Sequence, residues 1–558
     1  MIKQKWEIIV LVVLIIAHLL FSCGLYQIKS RGFYAPHGDG VARVMLSYGI
    51  ASGWDIPPAS IFSWWKNDSI FPHKVWPPFQ FFFNAGIYLV CGNLLLTPFL
   101  SSSIFSSGVI LIIYLLIRSM LPGRAPLALI GALYYTSFAG FKMIDLSGLD
   151  QTMLNFFIIG GLYFWLRYRQ DTRKVIYIFF SALFFLNAST VRFEGWFCVV
   201  VFELFIIGEF IFSLRRSAKF LFRKFPDIHR DPDLFNNKYR DNKTTVGEVF
   251  NLDREARKSG LKTPPTRLAR SAKCYLLPVM LIPLIFIIVW LVHQQLTYGG
   301  FFFLNYHHNE FLAGGDKLYG SEGFIFKAGD YPLLLLRSSP ITIGIVLLSL
   351  LVLRKQGRMV HDYLVFFLVE FILLIGSVIY VGVPHGPWRI ILTNLLLLLP
   401  VSIVGAYYLF AVFYRERIAL KLTVILFVSL FCFQMIFLPR NLPNSISEEV
   451  SRVGDLMKRS VANGMIGEKD RIFVELTEEQ PWGIWDTQKL SLFAPGHTIT
   501  FSLAGSAPEK IKNTLAGNRI IMAVIWSADG QDLVSPHCPR LFSTEHYSIY
   551  LNLKEMNK

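Results

Sequence analysis

Eleven stretches of this chain stay apolar for long enough to cross a lipid bilayer as helices: 8–27, 104–121, 125–141, 153–166, 175–190, 196–214, 274–293, 338–353, 362–382, 390–413 and 420–438. A span needs about 20 apolar residues. In lipid the backbone must satisfy its own polar groups, so such runs fold as helices. Charged residues make up only 16 % of the 558, against roughly 25 % in soluble domains. Mean hydropathy is +0.47. Disorder, a disulfide scaffold and an ordinary cytosolic enzyme are thereby excluded. Cys23, Cys91, Cys198, Cys274, Cys432 and Cys538 are scattered, with no C-x-x-C pair to suggest a metal. The expected class is a polytopic α-helical membrane protein of about eleven transmembrane helices. The first run is too long, and too soon followed by others, to be only a cleaved signal peptide.

A twelfth apolar stretch, 77–98, opens with Trp76-Pro77-Pro78 and is interrupted by Asn84, Gly86, Gly92 and Asn93. Loop charge decides how it is read, because cytoplasmic loops carry the excess of Lys and Arg. With the N-terminus (Lys3, Lys5) inside and 77–98 not crossing, the basic loops all fall on one side. They hold Arg118 and Arg124; Arg167, Arg169, Arg173 and Lys174; 215–273; Arg354, Lys355 and Arg358; and Arg415, Arg417 and Lys421. If 77–98 crosses, every loop after it flips. It is therefore expected to be a juxtamembrane or re-entrant piece of a long first external loop, 30–103.

Residues 1–438 form the expected membrane module, with a basic cytoplasmic loop at 215–273 and a further external loop at 294–337. The basic loop holds sixteen Lys/Arg against seven Asp/Glu, so more than half of the net +16 sits there. Anionic headgroups are the expected partner, at about 1 kcal/mol per basic residue. Nucleic acid is not, since the aromatic interleaving that single strands require is missing. The tail, 440–558, is polar and external on this topology. Ile446 to Ala462 is amphipathic. Arg471–Glu475, Thr498–Phe501, Ile520–Trp526 and Ser548–Leu551 read as short strands, which predicts a small α/β domain.

The unusual residues lie on the external face. Tyr34 to Arg43 contains His37-Gly-Asp39-Gly, an acid on a bent, accessible backbone that also suits a helix cap. Lys142 to Thr152 ends in Asp150, placed to open a helix and offset its dipole, or to act in a site. Asn187 to Trp196 sets Arg192 and Glu194 between two spans, where they form either a mutual ion pair or part of a site. The loop 297–331 carries His307, His308 and Lys317. Adjacent His side chains diverge, so His307 and His308 are expected to line the mouth of the site without binding metal. His385 and Arg389 lie at the outer end of an apolar run, where Arg389 either holds a phosphate or snorkels to the interface.

Acids and cations from separate loops, gathered over a membrane-embedded body, suit the transfer of a sugar from a polyprenyl-phosphate donor. The lipid tail lies in the bilayer, the phosphate needs a cation, and the acceptor needs a carboxylate base. A carrier or lipid flippase would place its ionisable groups mid-span on broken helices. No such feature is legible in the sequence; the span interiors are nearly clean, with Glu203, Glu209 and Glu370 as the exceptions. An inactive scaffold with an external binding domain is the third reading.

These features resemble the polytopic glycosyltransferases of the GT-C fold, which include protein O-mannosyltransferases, the aminoarabinose transferase acting on lipid A and the oligosaccharyltransferase catalytic subunit. His37-Gly-Asp-Gly is similar to the family's first acidic motif and Trp76-Pro-Pro-Phe to the juxtamembrane element of the same loop. Ser147-Gly-Leu-Asp-Gln-Thr is similar to the second acidic motif, Thr190-Val-Arg-Phe-Glu-Gly-Trp to the Thr-Arg-Tyr-Glu-Gly element, and Trp388-Arg-Ile with Pro400 downstream to the late Arg. The likeness covers roughly residues 1–410. It implies Asp39 as base, Asp150 as its assistant or a metal ligand, and Arg389 on the donor phosphate. His37, Arg192, Glu194, His307, His308, Lys317 and His385 are the further expected substrate-binding residues. It also implies a polyprenyl-phosphate sugar donor and a lipid, glycan or protein acceptor in the cell envelope. The chain has Asp39-Gly40 where many relatives have Asp-Glu, and a single acid where oligosaccharyltransferases have Asp-x-Asp. The likeness fixes no cofactor and leaves a divalent metal open.

Overall fold

The computed structural model describes residues 2–30, 38–53, 77–147, 149–171, 174–224, 281–298, 324–354, 356–381, 387–442, 448–467, 470–476, 489–494, 497–503, 520–525, 531, 540–544 and 547–551. The described residues of the eleven apolar runs fall on helices or bent helix pairs. In order these are α1 (Ile2–Ser30), α4 (Thr97–Met120), α5 (Ala125–Tyr135) with α6 (Ala139–Leu146), α7 (Gln151–Gln170), α8 (Val175–Val191) and α9 (Glu194–Lys224). There follow α10 (Ile282–Tyr298), α12 (Pro340–Leu353), α13 (Arg358–Val381), α14 (Pro387–Phe413) and α15 (Glu416–Asn441). The remaining helices are α2 (Gly38–Ala51), α3 (Phe79–Cys91), α11 (Phe324–Ser338) and α16 (Glu448–Ala462). Among the described residues α1, α4, α13, α14 and α15 are long and apolar enough to cross a membrane; the two bent pairs bring the number to seven. The centre of the bundle is α14: 72 % of its apolar window is buried by protein, against 17 % for α15, whose surface faces outward.

Two breaks in the helices have local causes. Gly92 closes α3 in the left-handed conformation at φ 62°, where a side chain would be strained. Asn93 then accepts the backbone N–H groups of Leu95 and Leu96 at 3.0 and 3.1 Å. The thirteen residues of α3 reach about 20 Å, short of the roughly 30 Å hydrocarbon core. Between α5 and α6 the chain bends by 64°. Thr136 and Ser137 donate back to the carbonyls of Leu133 and Tyr134 at 2.7 and 2.8 Å, which replaces the helical ladder at that point.

The basic ends of the helices associate with one another. Arg169 of α7 lies 3.1 Å from Glu209 of α9 and 3.0 Å from Asp362 of α13, and Arg358 joins the same two carboxylates. Arg124 pairs with Glu416, and Arg118 with Glu7 at 3.2 Å. Arg169 is about 28 Å along α7 from Asp150. Positions grouped on one side by loop charge thus meet their partners at one end of the bundle, and the candidate site lies at the other.

The C-terminal part carries a five-stranded sheet in the order β2-β1-β3-β5-β4. The strands are β1 (Arg471–Leu476), β2 (Thr498–Leu503), β3 (Ile520–Ile525), β4 (Arg540–Ser543) and β5 (Ser548–Leu551). β1 runs parallel to β2 and β3; β5 is antiparallel to β3 and β4. Four of the strands and α16 lie where the sequence predicts them. The strand not predicted, β4, is a largely exposed edge of four residues with only Leu541 and Phe542 apolar, too short to show alternation. The core of this unit includes residues from far upstream: Val41, Val44 and Met45 of α2 and Leu94 share one apolar cluster with α16, the sheet and the short helix Lys489–Phe493.

Candidate functional site

Asp150 stands at the N-cap position of α7 but makes no side-chain cap bond. Its backbone carbonyl starts the helix, accepting from Leu154 at 3.0 Å. Its carboxylate turns instead to two arginines. Arg192 Nη1 donates to Oδ1 at 2.7 Å, and Arg43 Nη1 approaches Oδ2 at 2.6 Å. Both Asp150 and Arg43 are fully enclosed. Arg43 Nη1 also donates to Gln80 Oε1 of α3 at 2.8 Å. Arg192 then grips Glu194 with two parallel bonds of 2.8 and 2.5 Å. Burial alone disfavours the charge on Arg192. The carboxylates of Asp150 and Glu194 outweigh that and raise its pKa well above the usual guanidinium value. The four groups sum to zero charge, as buried ions must if they are not to be left unpaired.

The turn holding Arg192 and Glu194 is tight. A Cβ on Gly195 would lie 2.3 Å from the backbone oxygen of Ala188, so only glycine fits there. The Trp196 indole N–H closes the same turn on the carbonyl of Ser189 at 2.9 Å. Directly after Asp150, Gln151 Nε2 donates to Thr393 Oγ1 of α14 at 2.6 Å, and one turn deeper Asn155 accepts from Thr393 at 2.9 Å. Asn394 donates to Glu370 of α13 at 2.6 Å. The first turn of α7 and the second turn of α14 are thereby fixed side by side.

Three of the ten expected site residues, Asp150, Arg192 and Glu194, have described side chains, and these are in direct contact. Asp39 and Arg389 are placed by backbone alone. Asp39 lies on α2, one turn before Arg43; Arg389 lies on α14, one turn before Thr393. His37, His307, His308, Lys317 and His385 lie outside the described residues. Sequence reasoning missed Arg43, Gln80 and Thr393. The signal for Arg43 was its position four residues after Asp39 in a helix, which puts the two at neighbouring places on one face. Gln80 and Thr393 carry no sequence signal.

A second polar cluster, also missed, lies inside the bundle. Lys142 of α6 donates to His18 Nδ1 of α1 at 2.7 Å and to Ser22 at 2.9 Å, and lies 4.0 Å from Asp145. Lysine can only donate, so Nδ1 accepts; the other ring nitrogen, Nε2, is 3.0 Å from Ser106 Oγ and carries the proton. Asp145 accepts from Thr152 at 3.0 Å and from Tyr135 at 3.4 Å. This is a buried ion pair on a broken helix, the feature that the carrier reading required.

As to a metal, no group of three or more His, Cys, Asp or Glu side chains lies together among the described residues. Both oxygens of Asp150 already face guanidinium groups, which a divalent cation would have to displace. The described residues therefore do not fit a metal.

No protein-family model and no curated protein matches the chain. Solved structures do. The crystal structure of ArnT from Cupriavidus metallidurans bound to undecaprenyl phosphate aligns with a TM-score of 0.57 at 11 % identity, covering 98 % of each chain. The apo form of that protein aligns equally, over 99 % of this chain and 98 % of that one. The chain has the GT-C fold. An oligosaccharyltransferase from Archaeoglobus fulgidus aligns less closely, with a TM-score of 0.48 at 11 % identity over 99 % of this chain and 75 % of its own. The likeness to ArnT covers 98 % of this chain and shows the fold, and the long apolar helices described above fit a multi-pass helical membrane protein.

Proposed function

We propose that this GT-C chain is an inverting glycosyltransferase of the plasma membrane. It moves a sugar from a polyprenyl-phosphate donor to a lipid, glycan or protein acceptor on the external face, with the N-terminus and the basic loop 215–273 cytoplasmic and residues 440–558 external. The observation that supports this reading is the pinning of Asp150 between Arg43 and Arg192, with Asp39 one turn before Arg43 on α2 and Arg389 one turn before Thr393 on α14. The fold shared with a protein solved with undecaprenyl phosphate bound supports a lipid-phosphate donor.

The acceptor hydroxyl or amine attacks the anomeric carbon as Asp39 takes its proton. The bond from that carbon to the phosphate oxygen breaks, and polyprenyl phosphate leaves with the electron pair. A phosphate needs little protonation to leave, so cation stabilisation and the base supply the catalysis. The electroneutral quartet has no charge to spare for the donor. Arg389, near the positive end of α14, is assigned to the donor phosphate. Asp150 is assigned to hold Arg43 and Arg192, not to act as a second base. In-line attack inverts the anomeric centre and needs no glycosyl-enzyme.

The test is transfer from radiolabelled polyprenyl-phosphate sugars in membranes, with the product anomer assigned by NMR. Asp39→Asn lowers turnover by about 10²–10⁴ and leaves donor binding unchanged. Arg389→Ala weakens donor binding as well. A retained anomer or a trapped glycosyl-enzyme removes Asp39 from this role. The carrier reading rests on the Lys142–Asp145 pair. It is the weaker one, because the donors of Lys142 face His18, Ser22 and Asp145, leaving none for a passing solute. Solute uptake into proteoliposomes that is lost in Lys142→Met would reverse that order.

A further inference from the structure

We propose that the C-terminal sheet unit is a positioning element for α2, the helix carrying Asp39 and Arg43, and that the two form one cooperative unit. The kinetic part of this inference rests on the transferase reading; the structural part does not. α2 divides its residues between two neighbours. Arg43 reaches Asp150 at 2.6 Å and Gln80 at 2.8 Å, toward the helical bundle. Val41, Val44 and Met45, each almost fully buried, enter the core of the C-terminal unit with Val450, Val453 and Met457 of α16 and with Leu490 and Ala494. Positions 41, 44 and 45 follow the i, i+3, i+4 spacing of one apolar stripe, while position 43 lies off it. Tyr48, one turn further along the stripe, also packs against this core and meets Tyr88 of α3 edge to face at 5.4 Å.

α2 has only fourteen residues, too few to hold a helix in isolation. Its order comes from the surfaces on either side. A side chain at a reacting centre tolerates little displacement: about 1 Å can cost 10²-fold. The sheet unit lies behind α2, so its seating sets how far Asp39 stands from Asp150 and Arg389. Gly454 gives access to that seating without touching α2. A Cβ there would lie 2.5 Å from the Phe493 ring, so any larger residue pushes apart α16 and the short helix Lys489–Phe493.

The experiment is hydrogen exchange by mass spectrometry on the full-length protein in detergent, comparing wild type with Gly454→Val and Met45→Ala. Gly454→Val is expected to raise exchange in α2 together with β2 and β3, by at least tenfold, while α4 and α7 stay protected. Met45→Ala is expected to loosen β2 and β3 from the other side, since coupling is reciprocal. Met45→Leu restores protection. If either variant fails to fold, the other decides. Loosened strands with unchanged α2, or Met45→Ala with unchanged strands, overturns the proposal. With transfer measurable, both loosening variants lower kcat about tenfold or more at unchanged donor KM; an unchanged kcat would refute positioning even where exchange is coupled. If wild type transfers no sugar, the transferase reading fails and the exchange data still decide the structural coupling.

Discussion

The carboxylates of Asp145 and Asp150 are five residues apart and both fully enclosed, yet they are held in different ways. Asp145 faces Lys142 at 4.0 Å and otherwise accepts from the neutral hydroxyls of Thr152 and Tyr135. Lys142 in turn leans on His18 and Ser22, so that cluster is closed on every side. Asp150 touches two guanidinium groups at 2.6 and 2.7 Å, and the outer one, Arg192, continues to Glu194. Arg192 and Glu194 are 15 % and 13 % exposed, so the second cluster opens outward where the first does not. The closed cluster ties α1, α6 and α7 together. The open one presents ordered charge at the end of the bundle where Asp39 and Arg389 begin their helices. Burial of charge is common to both clusters; partial exposure of Arg192 and Glu194 is what sets apart the one to which the transfer reaction is assigned.

Three sets of variants test that contrast. The largest effect on stability is expected from Asp150→Ala, which removes the carboxylate that two enclosed guanidinium groups share, at a cost of about 3–5 kcal/mol. Thermal unfolding in detergent measures it, and a change below about 1 kcal/mol would mean that solvent already reaches the arginines. Lys142→Met is expected to cost less, about 1–3 kcal/mol, because Asp145 can take up a proton and keep its two hydroxyl partners. The double variant Lys142→Met/Asp145→Asn recovers most of that loss, since an intact pair contributes little over neutral groups. It also retains sugar transfer; loss of transfer in a stable double variant would move the closed cluster into the site. The smallest effect belongs to Glu416→Gln, which breaks an exposed pair with Arg124 and changes stability by at most about 1 kcal/mol in the same unfolding assay.

Much of this was legible from local pattern. The apolar runs located the helices because length and hydropathy are properties of consecutive residues. Gly92 and Asn93 marked a real break because their preferences are local too. The bend at Thr136-Ser137-Phe138 was not legible. Its cause is side-chain hydroxyls competing for helix carbonyls, which hydropathy does not register. Lys142 and Asp145 read as loop residues because nothing in their neighbourhood shows that α1 supplies His18 and Ser22 as partners from more than a hundred residues away.

The sequence by itself determined the class of fold and the strand pattern of the tail, since each follows from residue type and spacing along the chain. It also named Asp150, Arg192 and Glu194 as unusual. Only the tertiary structure decided that Asp150 ignores the helix cap for Arg43 and Arg192, that Gln151 and Thr393 set α7 beside α14, and that the C-terminal sheet shares its core with α2. A buried charge takes the partner that packing brings within reach, and packing joins segments whose separation along the chain carries no trace of their contact.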